Sequence, residues 1–180
     1  GPLHHAIDCR IHQAGTRPVT EARYRALLRA TSAVVIPLEA PVARWLGDLF
    51  VVERVGERAS QLTVDLARLD TSVAVPWPAL PTIAALPEAL GAGYVLLASH
   101  LGAEVLARAV APQLPPLDPP TTFLRLYGAR GVVRAWTRFV AALDTYGGAV
   151  DDDVRGRVVA TAVATFNALA LALDREGVPR

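Results

Sequence analysis

The stretch Gly91-Ala-Gly-Tyr-Val-Leu-Leu-Ala-Ser-His-Leu-Gly-Ala-Glu-Val-Leu-Ala-Arg108 decides how the rest of the chain is read. It is apolar, long enough for several helical turns, and carries small residues where a helix ordinarily places bulk. Ala98 and Gly102 lie four apart, so a helix stacks them on one face. With no large side chain there, the backbone can lie close against a flat partner, either another helix or a planar ligand. Tyr94, Leu101 and Val105 flank the small pair, while His100, Glu104 and Arg108 fall on the far side as a polar stripe. The spacing predicts one helix with a buried face and a wet face, and a surface histidine at His100.

The segments around it also carry a helical period. Residues 3–13 place Leu3, Ile7 and Ile11 on one side and His4, Asp8 and His12 beside them. Thr20 is the expected N-cap of a long helix whose apolar positions run from Tyr24 through Leu28, Val35 and Val42 to Leu46. Pro37 and Pro41 inside it predict a kink or break, because each removes a backbone donor and crowds the preceding turn. The segment 47–56 reads equally as helix or strand. Ser60 is a candidate cap for a short helix with Leu62, Leu66 and Leu69 inward and Asp65 and Arg68 outward, ending near Asp70.

Two proline-rich loops, 76–81 and 112–120, bracket the central helix. Beyond the second, Val132, Val133, Trp136, Phe139, Val140 and Leu143 form a stripe opposite Arg130, Arg134 and Arg138, closed by Gly147-Gly148. Asp151-Asp-Asp153 caps a last helix with Val154, Val158, Ala162, Phe166, Leu169 and Leu173 inward. No strand alternation competes, so the expected fold is all-α, a single-domain helical bundle over residues 1–180.

Composition bounds the function. At 180 residues, 52% hydrophobic and 19% charged, the chain can bury one core. A net charge of +1, with arginine supplying all 18 basic residues, gives no field that argues for nucleic acid. Cys9 stands alone, which excludes an intrachain disulfide and a cysteine-based zinc site and fits a reducing, cytoplasmic setting. No uninterrupted apolar run reaches the roughly 18 residues of a membrane span and no secretory signal is visible, so no membrane span is expected. The chain has no methionine, and Gly1-Pro2 reads as a cleavage scar.

Several segments, in order, resemble one family. They are Leu3-His-His-Ala-Ile-Asp8, Tyr24-Arg-Ala-Leu-Leu28, Pro37-Leu-Glu39, Arg58 with Asp65-Leu66, the stretch 90–103, Tyr127-Gly128, Trp136 with Phe139, and Thr165-Phe166. Together they span nearly the whole chain. In them the sequence resembles the bacterial heme oxygenases, especially those encoded beside bacteriophytochromes.

The resemblance implies a heme oxygenase-like helical bundle in which residues 3–13 lie on the proximal side of a heme and 91–108 on its distal side. Heme would be both cofactor and substrate, cleaved to biliverdin with release of carbon monoxide and iron, and a ferredoxin or reductase would supply electrons. His4 would be the metal ligand, four residues before Asp8, with His5 the competing register. Ser99 would order distal water, Ala98 and Gly102 would let the backbone come close, and Tyr94 would contact the ring. Arg10, Arg134 and Arg138 would pair with the propionates, since guanidinium suits carboxylate; the alternative reading of the Arg130, Arg134 and Arg138 row is a solvated helix face.

Departures from the pattern carry a second expectation. The family's distal motif reads Gly-Ser-x-Leu-Gly-Gly, and here it is Ala98-Ser-His-Leu-Gly-Ala103, with two glycines replaced by alanines. An added methyl at Ala98 crowds the distal face, and the short start before His4 removes polar residues that would approach the propionates. The alternative function is therefore a catalytically weakened or inactive protein of this fold, acting in heme binding, regulation or protein interaction. A diiron site on the same scaffold is a poorer third reading, because Glu39, His100 and Glu104 do not make a convincing ligand set.

Overall fold

The computed structural model describes residues 20–47, 57–73, 79–114 and 119–178, and within them every regular element is helical. We number them α1 (Glu21–Leu46), α2 (Arg58–Arg68), α3 (Leu86–Ala98), α4 (Ala103–Val110, followed by a 3₁₀ turn over Ala111–Gln113), α5 (Gly128–Ala149) and α6 (Asp152–Arg175). The all-α expectation holds. The segments 3–13 and 48–56, with His4 and His5, lie outside the described residues.

α1 starts where Thr20 predicts, its hydroxyl accepting from the Arg23 amide at 3.3 Å. Its Tyr24, Leu28, Val34, Leu38 and Val42 are buried. Of the kink or break expected at Pro37 and Pro41 the break does not occur: the helix is continuous through both. The two prolines are four apart, so the donor lost at Pro41 would have met the carbonyl of Pro37, and the losses fall on one side of the helix. Burial of the opposite stripe then outweighs them.

Capping follows the sequence at some ends and not at others. Asp151 caps α6 by accepting from the Val154 amide at 2.9 Å, as expected. α2 ends at Leu69 with Asp70 in the left-handed region at φ 49°, and α6 ends with Gly177 at φ 69°. In both cases the next residue's amide closes back on the helix, Thr71 to Leu66 at 3.0 Å and Val178 to Leu173 at 2.9 Å. Ser60 is not the cap of α2: the helix begins at Arg58, and the Glu39 carboxylate of α1 accepts from the amides of Arg58 and Ala59 at 3.1 and 2.8 Å. Gly147 and Gly148 do not stop α5, which continues to Ala149.

α3 is the hub. Its most extensive packing is against α6, with further contact to α1 and α5, while α1 also packs on α2 and α6. The close approach to α6 is at Gly91, where a Cβ would stand 2.3 Å from the Val158 carbonyl oxygen and 2.9 Å from the Ala162 nitrogen. Arg29 of α1 ties down two helix ends, meeting Glu176 at 3.0 Å and the Ser72 carbonyl at 3.2 Å.

The expectation of no membrane span is overturned. Glu21–Leu46, Leu86–Val110 and Asp152–Arg175 are each long and apolar enough to cross a membrane by length and composition. A search for an unbroken apolar run misses them because single polar residues interrupt each one. Averaged over a helix they count for little: no charged residue lies between Arg157 and Asp174, or between Glu88 and Glu104.

Candidate functional site

The stretch 91–108 is not one helix. α3 ends at Ala98, α4 begins at Ala103, and between them the backbone tightens: the amides of His100, Leu101 and Ala103 bond to the carbonyls three residues back, of Leu97, Ala98 and His100. The cause is local. In an α-helix the Leu96 carbonyl would accept from the His100 amide, but here the Ser99 hydroxyl donates to it at 2.9 Å and His100 Nδ1 lies 3.4 Å from it. Two side chains displace one main-chain donor, and the helix shifts register.

That shift rotates everything beyond it. Leu101 and Val105, expected on the packed side, are 39% and 59% exposed. His100, expected in water, is 2% exposed, with its ring edge-on to Phe123 at 4.7 Å and Tyr127 at 5.3 Å. Its pKa is pushed down to about 3, first by burial and next by the positive charge of Arg58, against a smaller opposing pull from the Leu96 and Phe123 backbone. Glu104 and Arg108 do remain outside as an ion pair at 3.3 Å.

Around His100 the fold buries further polar groups, among them Asp65, which the helical period sends to water. Arg58 is wholly buried; it donates to the Tyr127 hydroxyl at 2.6 Å and lies 5.3 Å from the centre of that ring. Burial pushes its pKa down, while Tyr127 and Glu39 support the charge. Asp65, expected to face water, is also buried and caps the turn ahead of α5, accepting from the Thr122 amide and hydroxyl at 3.1 and 2.5 Å and from the Phe123 amide at 2.8 Å. Tyr24 donates to the Pro120 carbonyl at 2.7 Å, and burial raises its pKa. The signal that would have found these residues was present: Tyr24, Glu39, Arg58, Asp65 and Tyr127 all belong to the segments that carry the family resemblance.

The other candidate residues divide between two sides of α3. Ser99 lines a partly open apolar pocket of about 40 Å³ together with Leu28, Val34, Leu96, Phe123 and Leu173. Such a volume takes a few waters or one small apolar molecule. Tyr94 turns the other way, half-buried, its ring 5.0 Å from Trp136 of α5 and 6.4 Å from Phe166 of α6. Ala98, one turn further, is buried, whereas Gly102 in the break is half-exposed to solvent. Arg134 and Arg138 lie on the exposed face of α5, and neither lines that pocket. Among the described residues no three His, Cys, Asp or Glu side chains come together as a metal site. The chain matches no protein-family model, no curated protein and no solved structure.

Proposed function

We propose that this protein is a heme-binding protein of the heme oxygenase type, with the 98–103 break turned towards one face of the heme. The observation that carries the reading is the break itself: a hub helix interrupted at Ala98-Ser-His-Leu-Gly102, where small residues leave backbone groups within reach of a flat ligand. A second support is that the segments quoted for the resemblance supply Arg58 and Asp65, whose hydrogen bonds hold Tyr127 and Phe123, the two rings that His100 of the break packs against.

At about 40 Å³ the pocket beside Ser99 is far too small for a porphyrin. Under this reading a heme would lie outside it, against the break at Ala98 and Gly102, since the Tyr94 ring is already packed on Trp136 and Phe166. His100 is buried between the Phe123 and Tyr127 rings, so among the described residues no imidazole is exposed to a heme there. His4 is the proposed axial ligand. When bound, heme would supply the oxidative chemistry that yields biliverdin, carbon monoxide and iron with electrons from a ferredoxin or reductase. This chain's own part is to bind, orient and shield it.

The test is a heme titration followed by visible absorption, with three variants. The sharp heme band should form with wild type, be lost or strongly shifted in His4→Ala, and persist in His5→Ala and His100→Ala. A larger effect from His5→Ala moves the ligand by one position. A band that none of the three changes, in folded protein, removes this reading. The weakened or inactive alternative draws on Ala98, whose methyl occupies a position that is glycine in the family pattern.

A further inference from the structure

Most buried polar groups around the break are satisfied. Both oxygens of Glu39 and both of Asp65 accept backbone amides, and Tyr24 donates to a carbonyl. His100 differs, because its Nε2 is buried and has no hydrogen-bond partner among the described residues. The Leu96 carbonyl faces Nδ1 at 3.4 Å, a contact that favours the tautomer with the hydrogen on Nδ1 and Nε2 as the acceptor.

We propose that His100 is an acid-released latch: neutral, it pins the 98–103 break beneath Phe123 and Tyr127, and protonated, it leaves that pocket and frees the break. The groups facing it explain why the charged form does not fit. From α2 comes the Arg58 cation, which lies over the Tyr127 ring that the imidazole also meets. From α1 comes Glu39, whose oxygens are held by the Arg58 and Ala59 amides; Asp65 of α2 is held by Thr122 and Phe123. From α4 comes Glu104, paired outside with Arg108. The Leu96 and Phe123 backbone favours the charge only weakly. An imidazolium would thus sit in a dry pocket beside a cation, which is costly.

The break is also the place able to yield. It is held by three-residue-back hydrogen bonds rather than a regular helical ladder, and α4 beyond it is only 8 residues long. Once open, the imidazole titrates near its ordinary value of about 6.5. The closed form keeps the depressed value, so the latch is fully closed above about pH 6.5 and opening gains about tenfold for each pH unit below it. The latch does not depend on heme, and the chain alone serves to test it.

The experiment is hydrogen exchange read by mass spectrometry between about pH 7.5 and about pH 5, with rates corrected for the intrinsic pH dependence of exchange. Protection over residues 96–107 should fall about tenfold per pH unit below about 6.5, while α1 and α6 keep theirs. His100→Phe, which fills the pocket without a titrating nitrogen, should make the profile flat; if that variant does not fold, His100→Gln serves the same purpose. Three outcomes overturn the proposal: a flat wild-type profile, a pH dependence that survives in the variants, or loss of protection across all helices at once.

Discussion

At Gly91, α3 meets α6 with no side chain between the two backbones, whereas seven residues on, past Ala98, it ends against a cluster of buried polar side chains. The first contact is a matter of shape, since a single methyl has nowhere to go. The second is a matter of hydrogen bonding and charge, because Arg58, Asp65 and His100 are buried only as long as their neighbours, the half-buried Tyr127 among them, satisfy or tolerate them. One end of the hub helix should therefore fail through overpacking and be indifferent to pH. The other should fail through an unpaired polar group and be sensitive to acid.

The largest expected effect is at the polar end. Asp65→Ala would strand the amides of Thr122 and Phe123 and the Thr122 hydroxyl, each unmet buried group costing about 1–3 kcal/mol, so a loss of about 3–5 kcal/mol is expected in urea unfolding. Asp65→Asn keeps the shape and part of the acceptor capacity and should cost about half as much. A cost for Asp65→Ala below about 1 kcal/mol would mean that the segment before α5 is held by packing, and the contrast between the two ends would disappear.

Next comes the steric end. Gly91→Ala places a methyl against the backbone of Val158 and Ala162, which cannot rotate aside, so the two helices must separate; about 1–3 kcal/mol is expected. Gly156→Ala on α6 is the control, because a Cβ there meets nothing within 4 Å. It should stabilise by up to about 1 kcal/mol through helix propensity. If both substitutions act in the same direction, the seam is looser than its geometry implies.

How much of this was legible in the sequence depends on what each feature needs. The helical class, the Thr20 and Asp151 caps and the apolar stripes of α1 and α6 come from local pattern, and they are readable. The break at 98–103 was not, because it depends on which donor the Leu96 carbonyl accepts, and period counting assumes the regular one. The error then propagated by rotation: with the register shifted, His100 turned inward and Leu101 and Val105 outward. The buried carboxylates were missed for a related reason. A periodic reading sends Asp65 to water, and only the tertiary fold reveals the bare amides of Thr122 and Phe123 that hold it inside. For the candidate site, Tyr94, Ala98, Ser99 and Gly102 are neighbours in sequence, yet the structure divides them, with Ser99 on the apolar pocket and Tyr94 on the outer aromatic face.

The smallest expected effect falls on Ala98, between the two ends. It is a small residue like Gly91, but here the methyl is already in place and the informative change is its removal. Ala98 is the last residue of α3 and is buried, so Ala98→Gly loses one packed methyl and some helix propensity, about 1 kcal/mol in all. Under the proposed function the same change clears the distal face. Overpacking by one methyl in a tight site costs on the order of 1 kcal/mol or more, and about 1.4 kcal/mol of barrier is tenfold in rate. Conversion of bound heme under air with an electron donor should therefore speed up severalfold to about tenfold in Ala98→Gly, with heme affinity nearly unchanged and Tm slightly lowered. The readout is loss of the heme band and growth of biliverdin absorption. If wild type already converts its heme fully and the variant does no better, the methyl is absorbed by the packing that buries it, and Ala98 belongs with the structural residues of α3.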